Sequence, residues 1–123
     1  MNEEQIKQAW LEVFPNSHAV SRTVMGSTAV KLYLFPAKEN YNRIQDNDPL
    51  KYTLWIEGEN VKESSLSVLT RPPEGSNLAY ESKRMRKQTI KNADYEKMVK
   101  RFRKVRDWIK TLDMVHDVSD KIQ

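Results

Sequence analysis

Residues 50–60 read Leu50-Lys51-Tyr52-Thr53-Leu54-Trp55-Ile56-Glu57-Gly58-Glu59-Asn60. Leu50, Tyr52, Leu54 and Ile56 fall on one side and Lys51, Thr53 and Trp55 on the other, the period-two pattern of a strand with one face in a core. Gly58-Glu59-Asn60 supplies a turn into a further strand around residues 65–70, so the two segments predict an antiparallel hairpin. Upstream, residues 28–35 are rich in β-formers and alternate in the same sense, with Val30, Leu32 and Leu34 opposed to Lys31, Tyr33 and Phe35. Residues 20–25 form an earlier strand, with Gly26-Ser27 as the intervening turn. Pro36 closes the second strand, and residues 37–49 are polar and without period, which predicts a long loop. Residues 71–77, which contain Pro72-Pro73 and Gly75, read as another loop before a short strand containing Leu78 and Tyr80.

Helices bracket the strands. Asn2 with Gln5 three positions on has the spacing of a capping box, and Ile6, Ala9, Trp10 and Val13 then recur on one helical face until Pro15. At the other end Asn92 is placed to cap a helix reaching Val115, with Asp94 and Glu96 in its first turn. Met98, Phe102, Val105, Ile109 and Leu112 repeat along it at spacings of four and three. The expected fold class is α+β: an N-terminal helix, an antiparallel sheet of four to five strands, and a long basic amphipathic C-terminal helix packed on the sheet. At 123 residues this is one domain spanning 1–123, with residues 116–123 expected to fray.

The composition narrows the function classes. With no cysteine there are no disulfides, thiolate metal sites or cysteine nucleophiles. The apolar stretches are far shorter than a membrane span, and Met1-Asn2-Glu3-Glu4 does not begin a secretory signal, so a cytoplasmic protein with no membrane partner is expected. The net charge of +4 hides an asymmetry. Residues 83–110 hold twelve lysines and arginines against Asp94, Glu96 and Asp107, a net +9 that leaves −5 for the rest of the chain. Such a segment points to an acidic partner, whether DNA or RNA or an acidic protein surface, in competition with a merely solvated helix face.

On a helical wheel Lys100, Arg103, Lys104 and Lys110 project away from the apolar stripe, with Lys97 and Arg101 at its flanks. Arg84 and Arg86 extend the same footprint, so the expected binding set is Arg84, Arg86, Lys97, Lys100, Arg101, Arg103, Lys104 and Lys110. A row of cations on a rigid helix can neutralise successive phosphates and release counterions. A second signal lies on the strands, where Tyr33 and Trp55, beside Lys31 and Lys51, offer a stacking platform for unpaired bases. Against that stands plain cross-strand aromatic packing, or an anchor for a protein partner.

Catalytic signals are thin. His18 and His116 lack any metal-ligand spacing, and Gly26, Gly58 and Gly75 are isolated, so no metal site, cofactor or phosphate loop is expected. Glu81-Ser82-Lys83 resembles the closing element of the PD-(D/E)xK nucleases, which together with Asp46, Asp48, Glu57 and Glu59 allows a metal-dependent nuclease. The expected function is a non-enzymatic nucleic-acid-binding or regulatory protein that uses the basic C-terminal helix as its electrostatic surface. Its alternative is a small protein-binding inhibitor or adaptor of phage or mobile-element type acting on a nucleic-acid enzyme.

Overall fold

A computed structural model describes residues 1–36 and 48–123, so residues 37–47 of the expected loop lie outside the described residues. The order is α1 (Glu3–Val13), β1 (His18–Val24), β2 (Ser27–Tyr33), β3 (Leu50–Glu57), β4 (Asn60–Thr70), β5 (Glu81–Met85), β6 (Thr89–Ile90) and α2 (Tyr95–Lys110). The strands form one antiparallel sheet in the order β1-β2-β3-β4-β5, with the short β6 also paired to β4, one strand more than expected. Both helices lie on the same side of it. Ile6, Trp10, Phe14, Met98, Phe102, Val105 and Ile109 share one core with Val30, Leu32, Leu34, Leu54, Leu66 and Val68. At its centre the Trp10 ring stacks on Phe14 at 4.1 Å and meets Phe102 edge-on at 5.2 Å.

The capping box of α1 forms as expected, the Asn2 side chain accepting from the Gln5 amide at 3.0 Å and Gln5 Oε1 from the Asn2 amide at 2.9 Å. Two-residue turns join β1 to β2 and β3 to β4. Met25 and Gly26 both have positive φ, 51° and 80°, as a type I′ turn requires. Methionine carries a Cβ penalty there, and Met25 is 99% exposed with no packing to offset it. Met25→Asn is expected to stabilise the fold by about 1 kcal/mol, read as a higher urea midpoint with an unchanged slope.

Four boundaries differ from the sequence reading, one each in β4 and β5 and one at either end of α2. First, β4 begins at Asn60, several residues early, because a bulge hides its alternation. The pairing steps from Thr53↔Ser65 to Leu54↔Glu63, leaving Ser64 as the extra residue. The bulge keeps Val61, Glu63, Leu66 and Val68 all buried while Lys62 and Ser65 stay exposed.

Second, the strand expected at Leu78 and Tyr80 lies just beyond them. Those two side chains are 64% and 53% exposed, and it is Glu81–Met85 that pairs with β4, Leu66 opposite Met85 and Thr70 opposite Glu81. Lysine and arginine on this outermost strand disfavour pairing with another sheet edge.

Third, the cap of α2 is Asp94, whose carboxylate accepts from the Lys97 amide at 2.8 Å. Asn92 instead takes a left-handed conformation, φ 49°, that asparagine tolerates, and its amide donates to Asn60 Oδ1 at 3.1 Å.

Fourth, α2 stops at Lys110. The Thr111 hydroxyl donates to the Trp108 carbonyl at 2.7 Å, and the chain then runs beside β4, the Val115 amide donating to the Leu69 carbonyl at 3.1 Å and the Arg71 amide to Asp113 at 2.8 Å. Residues 116–123 pack rather than fray: Val118 is buried, and Lys121 Nζ donates to the Asn16 carbonyl at 2.9 Å while lying over the Phe35 ring. Beyond the helix the non-helical chain brings Met114 and Val118 into the core.

Candidate nucleic-acid interface

The fold divides the basic set expected at the C-terminal end into three. Arg101 is 5% exposed and turned inward. Its guanidinium binds the buried Glu63 carboxylate, Nη2 to Oε1 at 2.9 Å and Nε to Oε2 at 3.3 Å, and also donates to the Arg86 carbonyl at 3.2 Å. Arg101 is therefore an internal strut and leaves the binding set. Only a flank position on the helical wheel marked it. Glu63, which asks for a buried cation, lies 38 positions away on a bulged strand.

The outer face of α2 keeps Lys97, Lys100, Arg103, Lys104 and Lys110. Lys97 Nζ is held by the carbonyls of Lys91 and Asn92, both at 3.1 Å, so it fastens the left-handed turn before the helix. Among the described residues Lys100, Arg103, Lys104 and Lys110 have no carboxylate within ion-pair distance. Arg86 is exposed on the short connection between β5 and β6. Arg84 belongs elsewhere, on the opposite side of the domain.

That opposite side is the sheet face that no helix covers among the described residues. The strand registers align its residues in rows. One row runs Arg22, Ala29, Trp55, Lys62, Thr89 across β1, β2, β3, β4 and β6. The next runs Val20, Lys31, Thr53, Ser65. A third holds His18 and Tyr33, and, two residues along β3 from Thr53, Lys51, Ser67, Arg84. Adjacent rows are about 7 Å apart and adjacent strands about 4.8 Å.

These rows carry five cations, Arg22, Lys31, Lys51, Lys62 and Arg84, the Tyr33 and Trp55 rings, His18, Val20 and otherwise small or hydroxyl side chains, with no carboxylate. Glu57, in register with Asn60, lies one row further out, at the margin. None of the five cations is within ion-pair distance of a carboxylate among the described residues. Trp55 is 36% exposed and Tyr33 half-buried. A shallow depression between β2 and β3 is lined by Lys31, Tyr33, Lys51 and Thr53. Burial, with the Asp48 carboxylate nearby, pushes the Tyr33 hydroxyl above its ordinary pKa.

No family model, curated protein or solved structure matches the chain. The chemistry of the two cationic surfaces carries the functional reading. Like charges left unpaired on one flat face raise the local potential and attract a polyanion.

Of the residues of the nuclease reading, Asp48 and Glu81 are engaged within the fold, while Glu57 and Glu59 are exposed. Asp48 is buried, its carboxylate accepting from the amides of Leu34, Phe35 and Leu50 at 3.1, 2.9 and 2.9 Å. Glu81 Oε1 pairs with Lys83 at 3.0 Å. Among the described residues no three histidines or carboxylates are grouped to hold a metal, and Asp46 lies outside those residues. No helix among them is long and apolar enough to cross a membrane.

Of the sheet-face residues, alternation identified Lys31, Tyr33, Lys51 and Trp55. It missed Arg22 and Lys62. Arg22 was readable from the first strand once paired with β2, but Lys62 sits just before the bulge, where period two fails.

Proposed function

We propose that the protein is a non-enzymatic nucleic-acid-binding protein whose polyanion contact is the open face of its sheet. The observation that supports this most directly is the set of five cations, Arg22, Lys31, Lys51, Lys62 and Arg84, spread over three rows with no carboxylate among them and without an ion-pair partner among the described residues. Phosphate contacts from such a set make binding strongly salt-dependent, with affinity falling about tenfold or more between 50 and 200 mM salt even for three or four neutralised phosphates.

The outer face of α2 supports a second contact. Because Lys100, Arg103, Lys104 and Lys110 lie on the far side of the helical layer, one short strand on the sheet does not reach them. They suit an acidic protein surface, which keeps the adaptor or inhibitor reading as the alternative role, compatible with nucleic-acid binding on the other side.

The test is fluorescence anisotropy of labelled oligonucleotides at several salt concentrations with two triple variants. K31E/K51E/K62E is expected to weaken binding at least tenfold and flatten its salt slope, whereas K100E/R103E/K104E, chosen to spare the core stripe of α2, leaves most of the affinity. Absence of binding by the unmodified protein at low salt rejects the proposal. Loss confined to the α2 variant moves the contact to the helix.

A further inference from the structure

We infer that the ligand of the open sheet face is single-stranded, with bases stacked on Trp55 and Tyr33. This rests on the nucleic-acid reading above and names the form of the ligand. A duplex presents its bases edge-on in grooves that admit a helix or a two-stranded ribbon. The face described here is instead a broad surface of five strands, with no element rising from it among the described residues. Such a face meets unstacked bases flat.

The rings stand where stacking needs them. Trp55 occupies a central strand, between Ala29 on β2 and Lys62 on β4. Ala29, the smaller of these two neighbours, is itself buried, and Trp55 keeps 36% of its surface exposed. Tyr33 lies one strand over and two rows away, about 14 Å from Trp55 on the lattice of the sheet. Lys31 and Thr53 occupy the row between them, and Arg22 and Lys51 flank the diagonal. A strand crossing from Trp55 to Tyr33 thus passes cations on either side of a floor without carboxylates. Base stacking on aromatic rings tolerates every base, so sequence preference is weak and the charge of the strand supplies much of the affinity.

Trp55 is also a reporter: Trp10 is buried in the core and Trp108 is partly buried on α2, so the part of the emission change that Trp55→Ala removes is the part that belongs to Trp55. Oligo-dT and oligo-U are titrated against the full chain in parallel with a duplex of the same length, following anisotropy and tryptophan emission. One or both single strands are expected to bind at least tenfold more tightly than the duplex and to quench emission. Trp55→Ala is expected to weaken them about 5- to 150-fold and abolish most of the quench, and Trp55→Phe to retain part of the affinity. Because Trp55 is exposed, an unchanged thermal midpoint shows that the variant is folded; if it is not, the Trp55→Phe variant and the quench on the unmodified protein decide. Duplex binding equal to that of the single strands, or full affinity and quenching in Trp55→Ala while K31E/K51E/K62E still weakens binding, overturns the stacking inference and leaves a phosphate-binding face. No binding of any of the three oligonucleotides at low salt overturns both.

Discussion

Glu63→Ala is expected to destabilise the protein by about 3–5 kcal/mol, the cost of leaving a buried charge without its partner. The total stability of a domain is commonly about 5–15 kcal/mol, so the variant should lose a large part of its folded population. Glu63 is completely enclosed, and every contact it makes joins a different piece of the chain. Its carboxylate accepts from Arg101 on α2, from the Gln88 amide between β5 and β6 at 2.9 Å, and from the Tyr52 hydroxyl on β3.

Arg101→Ala should be comparably costly, because it leaves the buried carboxylate with two neutral donors only. Arg101→Met, which keeps the volume, should recover part of the loss. Urea unfolding of the three variants measures this, and a change under about 1 kcal/mol for Glu63→Ala would show that the network is solvated. The same network sets an alkaline limit. Burial, reinforced by the Glu63 carboxylate, holds the Tyr52 hydroxyl well above its ordinary value of 10.0. The unfolded chain therefore releases that proton first. The contribution is fully present below pH 10 and is lost as the pH rises toward the folded value, a loss that Tyr52→Phe removes.

Asp48→Ala is expected to cost about 2–4 kcal/mol by stranding the amides of Leu34, Phe35 and Leu50, each an unsatisfied buried donor. The Asp48 carboxylate gathers the two amides that follow β2 and the first amide of β3 around a single acceptor. Burial raises its proton affinity against the pull of those three amides and of His116. Asp48→Asn keeps one acceptor oxygen and should fall between wild type and alanine. Denaturant midpoints of the two variants check the order. Equal stability for Asp48→Ala would mean that water reaches these amides.

Much of this architecture was legible because local patterns report burial. The alternation of 50–57, the capping box at Asn2 and the four-three spacing from Met98 to Ile109 each state which side of an element meets the core, and tertiary structure agreed with all three. The misread boundaries share a cause. Ser64 breaks a period of two, Met114 and Val118 reach the core from a non-helical chain instead of a helical stripe, and Glu81–Met85 pairs as an edge strand despite its charge. Each depends on a partner far away in sequence, which no local period encodes.

The cationic surfaces divide in the same way. Composition and periodicity suffice to show that the chain is α+β, that positive charge gathers in residues 83–110, and that Tyr33, Trp55, Lys31 and Lys51 share one side of two strands. It takes the folded chain to show that Arg101 is held by Glu63, that Arg84 sides with the sheet while Lys100, Arg103, Lys104 and Lys110 face the other way, and that Arg22 and Lys62 complete the open face. Strand register and the sharing of a buried charge are set by contacts between distant segments, and those contacts turn a basic stretch of sequence into two separate surfaces.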